Sequence, residues 1–319
     1  MTSKIDVHHH VYPPVYSQAL QKTGGDPSGW FVPDWTVQAD LDLANAVGIK
    51  KSILSVTAPG PSCVGDSSKA LSLARECNDY VSRLRDEHPE NYGFFLVLPS
   101  LFDTEACLNE IARGLDELHA DGVVIYTRYG LDNAYLGHEA FLPIWKELNK
   151  RKAVVFIHPT HAVDTALVNN KLPQPMFDYP HETGRTAIDL ITSGRLINDC
   201  ANCKIILSHG GGTLPSLIGR VSGLLPFTQL GKGYSPDEIR SQAKRFYYDT
   251  ALSSDAATLK GLFEVADPTH VLFGSDFPNA PNDTIRYFTN LLKDAGRAVD
   301  ADVEDIYFKN AMQVFPRLK

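Results

Sequence analysis

Five ionisable side chains follow short apolar runs at widely separated points of the chain. They are His8, His10, His158, His209 and Asp276. Side chains alternate along an extended strand, so His8 and His10 of Asp-Val-His-His-His are predicted to share one side while His9 points away. Neutral imidazoles and a carboxylate are suitable ligands for Zn²⁺ or Mn²⁺. The pattern therefore favours a divalent metal site, and an alanine at His9 is expected to leave most activity intact.

The elements that must position these side chains are predicted from apolar runs. Strands are predicted over 4–8, 52–57, 94–98, 123–126, 153–158, 204–209, 246–249 and 270–274. Several runs, such as Val-Val-Phe-Ile at 154–157, are continuously apolar, which is typical of parallel strands covered by helices. Eight β/α units in 319 residues predict an α/β fold, a (β/α)8 TIM barrel, in which every strand ends on the same face.

Helical periodicity predicts nine helices between and after these strands. They cover 37–47, 67–87, 104–119, 138–150, 186–192, 214–224, 255–266, 283–295 and 303–312. The expected N-caps and helix stops are Asp103, Ser254, Asn282, Gly48 and Gly194. Two longer segments, 11–34 and 160–182, follow strands and carry several prolines or glycines. Both are predicted to be active-site loops rather than linkers.

The candidate ligands come from both the first and the last predicted strand. Length alone leaves one large domain competing with two ordinary ones. Any division into two halves would separate His8 from Asp276, so residues 1–319 are predicted to form a single barrel domain.

The charge balance argues against two classes of partner. The chain has 30 Lys and Arg residues against 38 Asp and Glu residues, a net charge of −8, and no basic cluster. Neither nucleic acid nor an anionic membrane is therefore an expected partner. Because no signal-peptide pattern and no apolar stretch of bilayer length occur, the protein is expected to be cytoplasmic. Five scattered cysteines predict reduced thiols, and Cys200-x-x-Cys203 lacks the second pair of a zinc ribbon.

The motifs in combination resemble the amidohydrolase superfamily, and within it the 2-amino-3-carboxymuconate-6-semialdehyde decarboxylase-like family. The matching stretches are D-V-H-H-H at 6–10, F-I-H-P at 156–159, E-T-G-R-T-A-I at 182–188, I-I-L-S-H-G-G-G-T-L-P at 205–215 and L-F-G-S-D-F-P at 272–278. A-P-G-P at 58–61 and A-R-E-C-N-D-Y at 74–80 are also similar to decarboxylases of hydroxylated benzoates. The resemblance implies a homodimer.

The resemblance also implies roles for the five residues. The metal ligands would be His8, His10, His158 and Asp276, and the catalytic residues His209 and Asp276. The fourth predicted strand ends Ile125-Tyr126-Thr127-Arg128, without the lysine that bridges two metals in binuclear relatives, so one divalent ion is expected. Several aromatic-acid decarboxylases have glutamate where this chain has His8. Three imidazoles favour Zn²⁺, Mn²⁺ stays open, and no organic cofactor is expected.

The resemblance implies metal-dependent, non-oxidative decarboxylation of a small aromatic carboxylic acid, a hydroxybenzoate. Overall similarity favours 6-methylsalicylate, a polyketide acid, as the substrate, with 3-methylphenol (m-cresol) and CO₂ as products. Protonation of the ring carbon would make the C–C bond cleavable, and either Asp276 or His209 would deliver or relay that proton. Two alternatives stay open. One is a metal-dependent hydrolase, lactonase or hydratase of a small cyclic or muconate-type acid, and the other is a non-catalytic aromatic-acid binding protein.

Residues that contact the substrate are less clearly indicated. The candidates are Tyr12, Arg128, Phe177, Arg185 and Phe277. The aromatic rings would pack against a flat substrate and the arginines would meet its carboxylate, although loop packing and salt bridges explain them equally well. Glu182, Asp249 and Arg220 are candidates for orienting the site or for capping. Gly210, Gly211 and Gly212 lack the ending of a phosphate loop and predict close approach of the backbone to the site instead.

Overall fold

The computed structural model describes residues 3–299 and 301–318. Eight parallel strands lie side by side in sequence order with helices between them, so the predicted (β/α)8 barrel is confirmed. The barrel strands are β1 (Lys4–Val11), β2 (Ile49–Val56), β3 (Tyr92–Val97), β4 (Gly122–Tyr126), β5 (Val154–His158), β6 (Lys204–Leu207), β7 (Tyr247–Asp249) and β8 (Val271–Leu272). A short antiparallel ribbon joins Arg128–Tyr129 to Ala134–Tyr135 after β4.

The helices surround this barrel. They are α1 (Pro14–Lys22), α2 (Val37–Val47), α3 (Ser67–Glu87), α4 (Thr104–Ala112), α5 (Leu142–Lys150), α6 (Gln174–Phe177), α7 (Tyr179–Thr192), α8 (Arg195–Asn198), α9 (Leu214–Leu224), α10 (Pro236–Ala243), α11 (Ala256–Phe263), α12 (Asn282–Ala298) and α13 (Asn310–Val314). Within the described part of the chain, no helix is long and apolar enough to cross a membrane.

The barrel closes through backbone hydrogen bonds between β1 and the segment after β8. The Val7 amide donates to the Phe273 carbonyl at 3.0 Å. The His10 amide donates to the Phe277 carbonyl at 2.6 Å. The Asp276 amide donates to the carbonyl of His8 at 2.8 Å. These bonds place the first and last parts of the chain side by side at the strand ends.

The interior of the barrel is apolar below the histidines. Phe156 lies two residues before His158 on β5, so the two side chains share the inner face of the strand. The His8 ring lies 5.0 Å from the Phe156 ring, and Phe95 stacks on Phe156 at 5.3 Å between centroids. Every residue of β5 is buried, which explains its continuous apolar pattern.

Several helices differ from their predicted bounds, and prolines explain two of the differences. The segment 11–34 contains α1, and α7 begins at Tyr179 rather than at 186. Both helices carry proline in the first turn, where its missing N–H costs nothing and its fixed φ suits the helix. The chain was expected to be irregular at both places because prolines usually interrupt periodicity.

Three further helical predictions need correction. Helix α10 was not predicted, although Ser235 and Glu238 form a capping box at its start. The stretch 138–150 begins with a 3₁₀ turn, Glu139–Phe141, before α5. The stretch 303–312 is π-helical over Asp305–Lys309 and continues into α13.

The predicted caps are partly confirmed. Asp103 accepts the Ala106 amide at the start of α4, and Gly48 ends α2 with a left-handed φ of 80°. Gly194, with a φ of 75°, directly follows the last turn of α7. Asp255 rather than Ser254 caps α11, because its carboxylate accepts two amides of the first turn. Asn282 is the first residue of α12 rather than its cap.

The cysteines are free thiols. Cys200 is buried and its thiol donates to the Arg195 carbonyl at 3.2 Å. Burial raises the pKa of the Cys200 thiol, and it raises the pKa of Cys203 to about 12. Because the thiolate is the form that binds a metal, this burial disfavours metal binding by the pair.

His9 lies on the opposite side of β1 from His8 and His10, as alternation predicts, but it is fully buried. Its ring bridges two buried carboxylates, with Asp6 at 2.9 Å and Asp40 at 3.0 Å. Burial alone would lower the pKa of His9, but Asp40 and Asp6 raise it to about 10. The residue therefore ties β1 to α2 through buried ion pairs, so we expect alanine here to lower stability, while the expectation that it keeps most activity stays a prediction.

We expect His9→Ala to lower the free energy of unfolding by about 3–5 kcal/mol, because Asp6 and Asp40 would stay buried without their shared partner. Urea denaturation followed by circular dichroism measures the change. The matched control is His181→Ala at an exposed histidine, which should change stability by less than about 0.5 kcal/mol. Equal stability losses in the two variants would contradict this role of His9.

Candidate active site

Four of the predicted residues meet at the carboxyl-terminal end of the barrel. They are His8, His10, His158 and Asp276, and one ligand atom from each lies within 4.8 Å of the others. All four residues are buried. The Nε2 atoms of His8 and His10 are only 3.1 Å apart. Such an arrangement of three imidazoles and a carboxylate could hold one divalent ion.

A hydrogen bond to Nδ1 orients each of the three imidazoles. His158 Nδ1 lies 2.7 Å from the Pro159 carbonyl, which can only accept, so Nδ1 carries the proton and Nε2 is free. His10 Nδ1 lies 2.9 Å from Ser55 Oγ, and His8 Nδ1 lies 2.9 Å from Asp249 Oδ2. These contacts leave the Nε2 lone pairs for a common partner.

Asp276 provides an independent test of whether a cation fits. Its Oδ1 atom lies 3.4 Å from His8 Nε2 and 3.2 Å from His10 Nε2. Within the described part of the chain, this buried oxygen accepts no hydrogen bond. A buried carboxylate oxygen without a donor is costly, and a cation between it and the Nε2 atoms would remove that cost. The donor set therefore fits a metal ion.

The pKa values of the three imidazoles are shifted in different directions. Burial lowers the pKa of His158 well below its ordinary value, and the neighbouring imidazoles lower it further. Burial likewise lowers the pKa of His10, so both rings are neutral. Burial opposes a charge on His8, but Asp249 and Asp276 raise its pKa to about 10, so a bound cation would have to displace a proton from this ring. The two carboxylates thus concentrate negative potential at the point where the Nε2 atoms meet.

His209 lies beside this group with one nitrogen free. Its Nδ1 lies 3.0 Å from the Ala251 carbonyl, so Nδ1 donates and Nε2 is left unprotonated. The ring lies 4.7 Å from the His8 ring between centroids. Burial lowers the pKa of His209, and His8 lowers it further. A neutral imidazole with a free Nε2 can accept a proton and return it.

Asp249 at the end of β7 orients both His8 and His209. Its Oδ2 is the partner of His8 Nδ1, and its Oδ1 accepts the amides of His209 at 3.2 Å and Ala251 at 2.9 Å. The side chains of His8, His209 and Asp249 form a second group that could hold a metal, because one ligand atom from each lies within 4.8 Å of the others. Because both carboxylate oxygens already accept hydrogen bonds, we assign Asp249 an orienting role.

Left-handed backbone conformations occur where three strands end. Of five non-glycine residues with positive φ in the described ranges, three border one cavity: His209 at 55°, Leu252 at 52° and Asp276 at 64°. Each such residue costs about 1–3 kcal/mol and persists only where the surrounding fold imposes it. The sharp turn redirects each side chain from the strand toward the cavity.

The three consecutive glycines after His209 allow close packing. All three have positive φ. A Cβ atom on Gly211 would lie 2.7 Å from the Tyr248 ring, and one on Gly212 would collide with the Pro180 carbonyl oxygen. The close backbone approach occurs against β7 and α7, and approach to the site itself stays a prediction.

A cavity of about 190 Å³ lies over the metal group. His158, His209 and Asp276 form its polar end. The two long loops close it as predicted, the first with Asp26 and Trp30 and the second with Pro175, Met176 and Tyr179. The remaining wall carries Thr57, Leu252, Asn279, Ala280, Pro281 and Thr284. Space of this size suits one aromatic ring with small substituents.

The two aromatic candidates that follow β1 and β8, Tyr12 and Phe277, do not line this cavity. Tyr12 is buried behind it and donates to Asn279 Oδ1 at 2.6 Å, so it supports the wall. Phe277 is buried against the His9 ring at 5.0 Å, on the other side of the seam. Phe177 is half exposed and packs against His181.

The two arginine candidates also lie elsewhere. Arg128 borders a separate hollow, and its guanidinium donates to the backbone carbonyls of Gly130, Asp132, His161 and Ala162. Arg185 is exposed and donates to the Tyr135 hydroxyl, which in turn donates to Glu182. The donors of Arg128 are thus used in joining two loops, and Arg185 belongs to a surface cluster.

The cavity residues that the sequence did not reveal come mainly from irregular segments. Trp30 and Asn279 lie outside helices and strands, and Tyr179 is the first residue of α7. A spacing rule predicts none of them, because no repeating pattern positions a loop side chain. Their only signal was membership in, or closeness to, a long loop after a strand.

A family model described as amidohydrolase matches residues 5–317. The 6-methylsalicylic acid decarboxylase of Penicillium expansum is 55% identical, and the match covers 99% of this chain and 97% of that protein.

Two solved structures share the fold. A crystal structure of an amidohydrolase II has a TM-score of 0.85 at 26% identity, covering 98% of this chain and 99% of its own. A dihydroxybenzoic acid decarboxylase from Polaromonas, solved with bound manganese and 2-nitroresorcinol, has a TM-score of 0.84 at 22% identity, covering 100% and 98%.

We expect His158→Ala to reduce metal affinity by more than about a hundredfold. The loss of a residue that only orients a ligand costs about 10- to 100-fold, and the loss of a ligand itself should cost more. Elemental analysis after dialysis measures bound metal. The matched control is His161→Ala, since His161 follows the same strand but lies outside the ligand group. If both variants keep the metal content of the unmodified protein, the site is wrongly identified.

Asp249→Asn should weaken metal binding by about 10- to 100-fold, because the amide keeps an acceptor oxygen but loses the charge that orients His8. Competition with a chromogenic chelator measures the affinity. Asp189→Asn serves as the control, since Asp189 also accepts a backbone amide but contacts no ligand histidine. Unchanged affinity in Asp249→Asn would show that the contact with His8 is dispensable.

Proposed function

The chain belongs to the amidohydrolase family, and from this premise we propose that it catalyses the metal-dependent, non-oxidative decarboxylation of a hydroxybenzoic acid. The proposed substrate is 6-methylsalicylate, and the products are 3-methylphenol and CO₂. The observation that carries the proposal is the convergence of three Nε2 atoms and an unpartnered carboxylate oxygen beneath a one-ring cavity. The substrate is supported by the 55% identity to the Penicillium enzyme.

The ligands in this proposal are His8, His10, His158 and Asp276, and they hold one divalent ion. When bound, the ion supplies a positive charge that holds the carboxylate and the neighbouring hydroxyl oxygen of the acid. Three nitrogen donors favour Zn²⁺, and Mn²⁺ is the alternative. The homodimer and the single domain over residues 1–319 stay predictions.

His209 moves the proton in the proposed reaction, since its Nε2 is not needed as a ligand. The substrate hydroxyl gives its proton to Nε2, and Nε2 delivers that proton to the ring carbon that bears the carboxylate. The C–C bond then breaks, its electron pair returns to the ring, and CO₂ and a phenolate leave. Asp276 is the second candidate for the delivery step, because it borders the same cavity.

Metal-loaded protein incubated with 6-methylsalicylate should release CO₂ and 3-methylphenol in equal amounts. In D₂O, one deuterium should appear at the carbon that held the carboxylate, which mass spectrometry and NMR detect. Chelation should abolish turnover, and His209→Ala should lower kcat by about 10²- to 10⁴-fold, the usual contribution of proton transfer by a side chain.

The same experiment separates the alternatives. A hydrolase or hydratase would convert lactones or muconate-type acids to products containing an added water, without CO₂. A binding protein would retain the acid unchanged under metal-replete conditions. The decarboxylase assignment is overturned if either of these results is obtained and 6-methylsalicylate, salicylate and 2,6-dihydroxybenzoate all fail to release CO₂.

A further inference from the structure

Two hydrogen-bond donors in the cavity wall are unused. The indole N–H of Trp30 and the hydroxyl of Tyr179 are buried, and neither makes a hydrogen bond of normal geometry within the described residues, although Ser28 lies near the Tyr179 hydroxyl. Seven buried side-chain atoms share this property across the described residues, and three of them belong to residues that line this cavity. The third is Asp276 Oδ1, the oxygen assigned above to the metal. Unused polar atoms are therefore concentrated where a ligand would bind.

Leaving a donor buried without an acceptor costs about 1–3 kcal/mol. Indole N–H can only donate, and a phenolic hydroxyl donates when it faces an acceptor. A ligand that supplies acceptor oxygens would satisfy both groups at once. A carboxylate is the most suitable one, because hydrogen bonds to an ionised acceptor are about twice as strong as neutral ones.

Two other polar residues of the wall already have partners. Asn279 accepts from Tyr12 and donates to Thr57 Oγ1 at 3.0 Å. Asp26 Oδ1 accepts the Ser28 amide at 2.8 Å. Among the described residues that line the cavity there is neither lysine nor arginine. Recognition of an anion here cannot depend on a side-chain cation.

We propose that Trp30 and Tyr179 form an uncharged donor pair that binds the carboxylate of the aromatic acid. This inference rests on the proposed function and identifies how that site distinguishes an acid from a phenol. Neutral donors also suit decarboxylation. An arginine would stabilise the bound carboxylate much more than the departing neutral CO₂. With uncharged donors, the difference in binding energy between the carboxylate and CO₂ is smaller.

Binding to metal-loaded protein tests the pair, with 6-methylsalicylate and 3-methylphenol as the two probes. Calorimetry on Tyr179→Phe and on Trp30→Phe should show the acid binding about tenfold more weakly, the cost of one hydrogen bond to a charged group. Affinity for 3-methylphenol should change less than about twofold, since the phenol has no carboxylate to lose a contact. KM for the acid should rise while kcat changes much less.

Tyr92→Phe is the matched control, because the Tyr92 hydroxyl is also buried without a partner in the described structure but lies outside the cavity. It should leave the affinity for both probes unchanged. Retained 3-methylphenol binding and metal content show that the Tyr179 and Trp30 variants are folded.

The outcomes separate a failure of the donor pair from a failure of the proposed function. If the unmodified protein releases CO₂ but both variants keep the same ratio of acid to phenol affinity, the donor pair is wrong and the decarboxylase stands. If the variants weaken acid and phenol equally, the two residues only shape the wall, and the pair is again wrong. If the unmodified protein neither binds the acid nor releases CO₂, both proposals fall together.

Discussion

The active site depends on the backbone seam that closes the barrel. His8 and Asp276 lie at opposite ends of the chain, yet the carbonyl of His8 accepts the amide of Asp276 at 2.8 Å. Asp6 reinforces the same seam, because its Oδ1 accepts the amides of both His8 and Ser275 at 3.1 Å. Closing the barrel and assembling the ligand group are thus one event. A partly closed barrel would keep the ligands apart and would leave Asp6 Oδ1 without the Ser275 amide.

The sequence predicts the barrel and the polar strand ends because both follow from local rules. Continuous apolar runs identify covered parallel strands, and alternation separates His9 from its neighbours. The rest depends on contacts between distant segments, which periodicity does not encode. Arg128 illustrates this limit. Its charge suggests a carboxylate partner, but two loops bring four carbonyls within its reach before any ligand arrives.

The same limit explains why Trp30 and Tyr179 were not predicted while His158 and His209 were. The position of a histidine at a strand end is set by the strand, and the apolar pattern of the sequence predicts where that strand runs. The position of a loop residue depends on how the whole loop folds. For example, the backbone amide of Gln174 in the second loop donates to the Ser28 carbonyl of the first. That contact brings the two loops together over the cavity, and neither partner belongs to a recognisable motif.

The chain carries a net charge of −8, and the residues lining the cavity in the described structure include no lysine or arginine. In the proposed reaction, a bound ion would therefore supply the positive charge that attracts the acid, with His8, His10, His158 and Asp276 holding it. A cationic side chain would add affinity, but it would add the most to the intact acid. Because binding that favours the ground state does not accelerate the chemical step, a wall of neutral donors and apolar groups leaves more of the interaction for the transition state.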